Sequence, residues 1–236
     1  MVEISCVKAI PSIEETKPYY ETNFVDSEFI EVITNDNLDV SMQYPKMGMR
    51  NAENKCLLRK EVYERLLRAA QNLPRGYKIR ILDAWRPFLL QEELYQKYSD
   101  IIISRYGLNN IDDEEKLDII KKYISEPVNN RVYAPVHTTG GAVDVTILDE
   151  FGKELNMGTV FDSFVDEAYT DYFEKQDMYE IKHNRRLLYN VMINSGFTNL
   201  PSEWWHYDYG DQFWARYSKQ PVLYRGIFTR EEIYGK

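Results

Sequence analysis

Apolar side chains recur at helical spacing between residues 60 and 72. Val62, Leu66, Ala69 and Ala70 carry the stripe, and Leu67 and Leu73 widen it. The pattern predicts a helix over 60–72, stopped by Pro74-Arg75-Gly76. Tyr77 to Asp83 then alternates in the two-residue period of a strand, and Glu28 to Ile33 reads as an earlier one. Ala84-Trp85-Arg86-Pro87 turns the chain into a second helix that reaches about Tyr106, with Pro87 suited to its first position. A third helix is expected over 112–125, started by Asp112 or Asp113 and ended before Pro127. Val145, Thr146, Ile147 and Leu148 are β-branched or apolar and read as a buried strand. A fourth helix, from about Tyr179 to Asn194, ends at Gly196, a natural C′ glycine. Glu203 to Asp208 is taken as a last strand, and the chain after Ala215 as a short edge strand and a surface segment. The stretch 40–52, with Pro45 and Gly48, and residues 150–170 read as loops.

Helices interspersed with strands that are not sequential neighbours imply an α+β fold, a small mostly antiparallel sheet flanked by helices. No repeat or long linker divides the 236 residues, so one domain over 1–236 is expected, with 1–35 as an N-terminal extension and 215–236 as a tail. A hydrophobic share of 44% marks a globular chain. Its formal charge of −9 disfavours a nucleic-acid partner, because a phosphate backbone wants a basic face. Two cysteines, Cys6 and Cys56, with no CxxC pair, exclude a disulfide framework and a cysteine-built metal site. No basic start leads into an apolar run and no segment approaches a membrane span, so a soluble, cytoplasmic protein is expected.

The chemistry is concentrated in two short stretches. His137-Thr138-Thr139-Gly140-Gly141-Ala142-Val143-Asp144 opens on an imidazole and closes on a carboxylate at the start of the buried strand. Its paired glycines let the chain turn or approach another backbone closely. Glu203-Trp204-Trp205-His206 offers a second histidine three residues after a carboxylate. Two imidazoles and one carboxylate are the ligand set of an open zinc site with a fourth position for water. His137, Asp144 and His206 supply that set on the sheet, and Glu203 is left as a base. A histidine and an aspartate seven residues apart are common by chance, and a buried histidine is usually only hydrogen-bonded. Scarcity argues for the metal, because the chain has 3 histidines and two stand in these stretches. The third, His183, sits in a polar helical segment that reads as solvated surface. Arg86 is the candidate cation for a developing oxyanion, with Asp83 three residues earlier to orient it; a purely structural arginine bridging to a carboxylate fits equally. Trp204 and Trp205 fit core packing.

These residues together resemble the zinc D-alanyl-D-alanine dipeptidases associated with vancomycin resistance, within a wider group of zinc DD-peptidases and LD-carboxypeptidases. The wider pattern His-x6-Asp…Glu-x-Trp-His is met by His137, Asp144, Glu203, Trp205 and His206. Asp83-Ala84-Trp85-Arg86-Pro87, Met157-Gly158-Thr159-Val160-Phe161-Asp162 and Cys56-Leu57-Leu58-Arg59 are similar to stretches of the dipeptidase branch, and the likeness runs from about Tyr44 to Tyr209. The resemblance implies zinc on His137, Asp144 and His206, Glu203 as general base and acid, and Arg86 on the transition state. It further implies Asp162 against the substrate's free amino group and Tyr44 on the pocket wall. Asp162 also fits a helix cap or loop staple. Two positions depart from the family pattern. Pro135 stands where a serine is expected near the substrate carboxylate, and Thr139 where an arginine is expected. Proline supplies neither hydroxyl nor N–H.

The function expected is zinc-dependent hydrolysis of D-alanyl-D-alanine or a related small dipeptide. The alternatives are a zinc carboxypeptidase or endopeptidase trimming larger peptidoglycan peptides, and a metal-bearing binding module without catalysis. Retention of Glu203 and Arg86 argues against the last.

Overall fold

The computed structural model describes residues 7–235 except Glu15, Tyr20 and Lys122. Cys6 lies outside the described residues, and Cys56 is a buried free thiol. The fold is α+β. Strands β1 (Phe29–Val32) and β3 (Cys56–Arg59) form an antiparallel pair. The main sheet contains β2 (Leu38–Val40), β4 (Lys78–Asp83), β5 (Ala142–Leu148), β6 (Thr198–Asn199) and β7 (His206–Asp208), in the order β2-β4-β5-β7-β6. Only β2 and β4 run parallel; the other three pairings are antiparallel.

The centre of this sheet is β5, whose seven residues are all buried. Alternation divides them between two faces. Val143, Val145 and Ile147 enter the main core with Val62, Leu66 and Leu188. These come from helices α2 (Lys60–Gln71) and α5 (Tyr179–Asn194). Asp144 and Thr146 take the opposite face. A smaller apolar cluster lies under α3 (Phe88–Tyr106) and α4 (Asp113–Ile120), built on Leu90, Leu94, Tyr98, Ile102 and Ile120. Phe161 packs against both clusters.

Several segments depart from the sequence reading. Within the predicted loop 40–52, Gln43–Lys46 forms a short helix, α1, which buries Tyr44; Pro45 lies within its first turn, where a missing N–H costs no helical bond. The helix expected over 112–125 is α4 and ends at Ile120, and Pro87 is the N-cap of α3 rather than its first residue. The strand expected from Glu203 begins at His206: the Glu203 N–H bonds the Leu200 carbonyl at 3.0 Å, closing a turn that leaves Glu203 off the sheet. The tail holds helices α6 (Gln212–Ser218) and α7 (Arg230–Tyr234), and the short edge strand expected there is reduced to a single parallel bridge of Val222 to Thr22 between them. Asp211 caps α6 by accepting from the Phe213 and Trp214 N–H groups. The segment around His183 is also less exposed than expected. Arg185 beside it is buried and donates to the carbonyls of Met157, Tyr169 and Glu167, while His183 itself stacks on Tyr179.

Candidate active site

His137 lies in a single 3-10 turn, Val136–Thr139, immediately before β5. Three contacts fix that turn from outside. Trp85 Nε1–H donates to the Thr138 carbonyl at 3.1 Å, Arg59 Nε–H to the Thr139 carbonyl at 2.9 Å, and the Arg86 N–H to the His137 carbonyl at 3.2 Å. The turn closes through Gly140 at φ +73, and a Cβ there would meet the Phe29 ring at 2.4 Å. At Gly141 a Cβ would come within 2.6 Å of the Tyr209 carbonyl. The glycine pair thus serves both purposes at once, a left-handed turn and a close backbone approach.

Asp144 and His206 are direct cross-strand partners in the β5·β7 register. On the other side, β4 carries a bulge between Ile81 and Asp83, which brings Asp83 opposite Asp144. One extra residue in a strand re-aims the side chains beyond it. In-step pairing would have set Leu82 there.

The donor atoms of His137, Asp144 and His206 all lie within 4.8 Å of one another, and all three residues are buried. His137 Nε2 is 3.2 Å from His206 Nδ1 and 3.5 Å from Asp144 Oδ1, and His206 Nδ1 is 3.0 Å from the same oxygen. A tetrahedral ion with bonds of about 2.0–2.1 Å separates its ligands by roughly 3.3–3.4 Å. The three residues therefore fit a zinc-sized ion in both chemistry and spacing. Each imidazole is also held from behind: His137 Nδ1 is 2.8 Å from the Ala84 carbonyl, and His206 Nε2 is 2.8 Å from Asp208 Oδ1. Such outer partners fix the tautomer and aim the free nitrogen.

Asp208 was not singled out from the sequence. The signal was present, since residues two apart on a strand share a face, and His206-Tyr207-Asp208 is such a triplet. Asp208 is fully buried and is backed by the equally buried Asp211. Burial, and then the Asp208 charge, push Asp211 well above the usual carboxylate range. Against the downward push of burial, Asp208 and then Asp144 raise His206 well above an ordinary imidazole. Against the upward push of burial, His137 and His206 hold Asp144 well below the usual carboxylate range.

Glu203 approaches from the turn before β7, with Oε2 at 3.9 Å from His206 Nδ1. Burial, with the Asp144 and Asp162 charges adding and His206 opposing, pushes it up to about 8. Its side chain keeps 26% exposure, toward the cavity.

Arg86 lies across the cavity. Its Nε and Nη2 donate to Asp83 Oδ2 at 3.1 and 2.9 Å, and its Nη1 to Gln91 Oε1 at 2.7 Å. Gln91 is anchored in turn to the Ser125 carbonyl at 2.7 Å. The guanidinium lies 5.0 Å from the centre of the Tyr44 ring. Burial opposes its charge, but Tyr44, Asp83 and Asp144 outweigh burial and keep it cationic. Both readings of Arg86 thus meet in one geometry: it bridges to Asp83 and it lines the cavity.

Asp162 and Tyr44 line the same cavity. Asp162 caps no helix. It holds a left-handed φ of 57, which is rare outside glycine and marks local strain. Tyr98, a residue the sequence reading passed over, donates to its Oδ2 at 2.8 Å. Burial, and then the Asp144 charge, push Asp162 up to about 6. The two departing positions fare differently. Pro135 lines the cavity, whereas Thr139 turns away: its hydroxyl donates to the Val136 carbonyl at 2.6 Å and accepts from the Gly141 N–H at 2.9 Å. Trp204 and Trp205 are both buried and pack edge to face. Trp204 Nε1–H donates to Thr159 Oγ1 at 2.8 Å.

Residues 46–223 match the profile of a family described as D-ala-D-ala dipeptidase. The D-alanyl-D-alanine dipeptidase of Synechocystis is 30% identical over 154 residues, covering 59% of this chain and 62% of that one. The Escherichia coli K12 dipeptidase of the same name is 27% identical over 158 residues, covering 65% and 67%. The Enterococcus faecium one is 30% identical over 158 residues, covering 64% and 72%. Among solved structures, the Zn(II) complex of a mutant of the vancomycin resistance D,D-pentapeptidase VanY aligns over 74% of this chain and 85% of that one, at 16% identity and a TM-score of 0.36.

Proposed function

Because the chain belongs to the D-ala-D-ala dipeptidase family, we propose that it hydrolyses D-alanyl-D-alanine or a related small dipeptide, with zinc held by His137, Asp144 and His206. The observation that carries this reading is the convergence of three zinc-type donors in a cavity that also holds Glu203 and Arg86. Zinc bound there supplies Lewis acidity and lowers the pKa of water beside it toward about 7.

The side chains then divide the work. Glu203, pushed up to about 8 by its surroundings, exchanges protons near neutral pH. It takes one proton from the attacking water and returns it to the leaving amine. The water oxygen bonds the carbonyl carbon, the C–N bond breaks, and one acid and one amine are released. Arg86 is already oriented by Asp83 and Gln91, so it meets negative charge on the carbonyl oxygen without reorganising. Asp162, steadied by Tyr98, takes the substrate ammonium. Tyr44 forms the wall beside both, its hydroxyl accepting from Arg86 Nη2 at 3.4 Å and its ring lying near the guanidinium.

The test is a panel of D- and L-dipeptides and longer wall peptides, assayed for released amino acid on zinc-loaded and chelator-stripped protein. The expected result is release from D-Ala-D-Ala by the loaded protein alone. Equal release by stripped protein, or none from any D-dipeptide, refutes the reading.

A further inference from the structure

A further bond reaches the His137 turn from residues beyond the stretch matched by the family profile, 46–223. The Ile227 N–H donates to the Thr138 carbonyl at 2.8 Å. Trp85 Nε1–H, which donates to that same carbonyl at 3.1 Å, also donates to the Ile227 carbonyl at 2.8 Å. One indole N–H is thus shared between the residue after His137 and the residue that bonds it. Trp85 and Thr138 are fully buried. Hydrogen bonds in such surroundings are strong, and leaving their partners unpaired is costly.

The segment that brings Ile227 to the turn is itself held on both sides. The Gly226 N–H donates to the Arg131 carbonyl at 2.7 Å. The N–H of Phe88, the first residue of α3, donates to the Phe228 carbonyl at 3.0 Å. That bond satisfies one of the open donors at the start of a helix. The Phe228 ring stacks on Phe88 with centroids 4.6 Å apart. Gly226 passes close to its neighbours: a Cβ there would meet Ala134 Cβ at 2.5 Å and Thr138 Oγ1 at 3.1 Å. Arg131 Nη1 donates to the Gly226 carbonyl at 3.2 Å, and its guanidinium forks onto Glu232 at 2.6 and 3.1 Å.

The His137 turn needs support of this kind. It is a single 3-10 turn of four residues, with poorer hydrogen-bond geometry than an α-helix and no length to hold itself. The imidazole is fixed by the Ala84 carbonyl, and the backbone it hangs from by the Arg86 N–H and the Trp85 indole. Ring and backbone are therefore referenced to the same three consecutive residues, and the terminal segment is tied into that reference through Trp85. Side chains that build a site must be held within about 0.5 Å of the productive geometry. Loosening the turn by that much misplaces His137 Nε2.

We propose that Gly226–Phe228 is a positioning strap for His137 as a zinc ligand, acting through the Ile227 N–H and the Trp85 indole. The inference rests on the zinc reading of His137, Asp144 and His206, and extends it by giving the chain beyond the family match a part in metal binding. The bond that counts comes from a backbone donor, so the side chain at position 227 is secondary.

The experiment compares wild type with Ile227→Pro, Ile227→Ala and Trp85→Phe in three measurements. These are zinc affinity by competition against a chromophoric chelator, the visible spectrum of the cobalt(II)-substituted protein, and thermal unfolding of the metal-free protein. Proline deletes the N–H that bonds Thr138, whereas alanine keeps it and trims only a half-buried side chain. Trp85→Phe removes the shared donor and keeps an aromatic ring. The expected result is zinc binding weakened about tenfold in Ile227→Pro and in Trp85→Phe, the lower end of the range for lost outer support, with Ile227→Ala unchanged. The cobalt bands should shift in the same two variants, because they follow the geometry of the ligand set. If both variants unfold earlier yet hold zinc within about twofold of wild type with unshifted bands, the segment only stabilises the fold and the strap is overturned. Equal weakening by Ile227→Pro and Ile227→Ala overturns it too, since packing and not the donor is then responsible. Should Ile227→Pro or Trp85→Phe fail to fold, the other decides against Ile227→Ala. His137→Ala is run beside them. If it binds zinc as wild type does, the ligand reading has failed and takes the strap with it, whatever the other variants show.

Discussion

Replacing Asp208 tests the metal site without touching any of its three donors. Asp208 is fully buried and accepts from His206 Nε2 at 2.8 Å. That bond places the proton on Nε2 and leaves Nδ1, the atom facing His137 and Asp144, as the lone-pair donor. Loss of an outer partner of this kind weakens metal binding by roughly 10–100-fold. At about 1.4 kcal/mol per factor of ten, the change is about 1.4–2.8 kcal/mol. Asp208→Ala should fall near the upper end, because it also strands a buried N–H, which itself costs about 1–3 kcal/mol of stability. Asp208→Asn keeps an acceptor but loses the charge, and should fall near tenfold. The assay is zinc competition against a chromophoric chelator at fixed pH, with thermal unfolding run alongside to confirm a folded protein. A folded Asp208→Ala variant that binds zinc within about twofold of wild type would refute an outer-partner role.

His137→Ala should strip the metal while His183→Ala keeps it, read as zinc content after gel filtration; the reverse outcome removes His137 from the ligand set. Glu203→Ala should retain zinc and lose about a hundredfold to ten-thousandfold in kcat, since general acid–base help is worth that much; near-normal turnover would sink the assignment. Arg86→Ala should lower kcat by roughly a hundredfold to a thousandfold with KM little changed, the signature of a donor that acts on the transition state. A rise in KM alone would make it a ground-state anchor. Asp162 should impose a pH window on KM: protonated below about 6 it cannot pair with an ammonium, and above that it can. The substrate amine loses its proton near about 8, so KM should be lowest between these values and flat in Asp162→Asn.

Much of the helical framework was legible because it follows from one-dimensional pattern. The α2 stripe and the Gly196 stop need only local spacing, and the structure shows helices at Lys60–Gln71 and Tyr179–Asn194. The nearness of His137, Asp144 and His206 was legible for a different reason, the scarcity of histidine beside a strand start. Their roles as ligands remain proposals. What failed depended on tertiary context. Glu203 was read into the strand that holds His206, yet its N–H closes a turn on Leu200. In the tail the extended pairing shrank to one bridge at Val222, and the helix that Asp211 caps went unread. Asp208 was hidden because its function exists only once β7 presents it behind His206. The β4 bulge that faces Asp83 with Asp144 leaves no mark in the alternation of residues 77–83.

On the proposed dipeptidase reading, the two ends of the substrate meet unequal walls in this cavity. At the amino end the chain keeps a carboxylate in a strained left-handed conformation, which persists only where surroundings over-determine it. Tyr98 supplies part of that constraint through its hydrogen bond to Asp162 Oδ2 at 2.8 Å. Strain held in this way argues for a demanding amino-terminal requirement. At the carboxyl end Pro135 removes a hydroxyl and an N–H from the wall, and Thr139 cannot compensate because its hydroxyl is spent within its own turn. A charged terminus left without partners in a narrow cavity is costly. On the proposed dipeptidase reading, the amino end is therefore the more demanding of the two, and a substrate lacking a free ammonium should lose more than one altered at its carboxyl end.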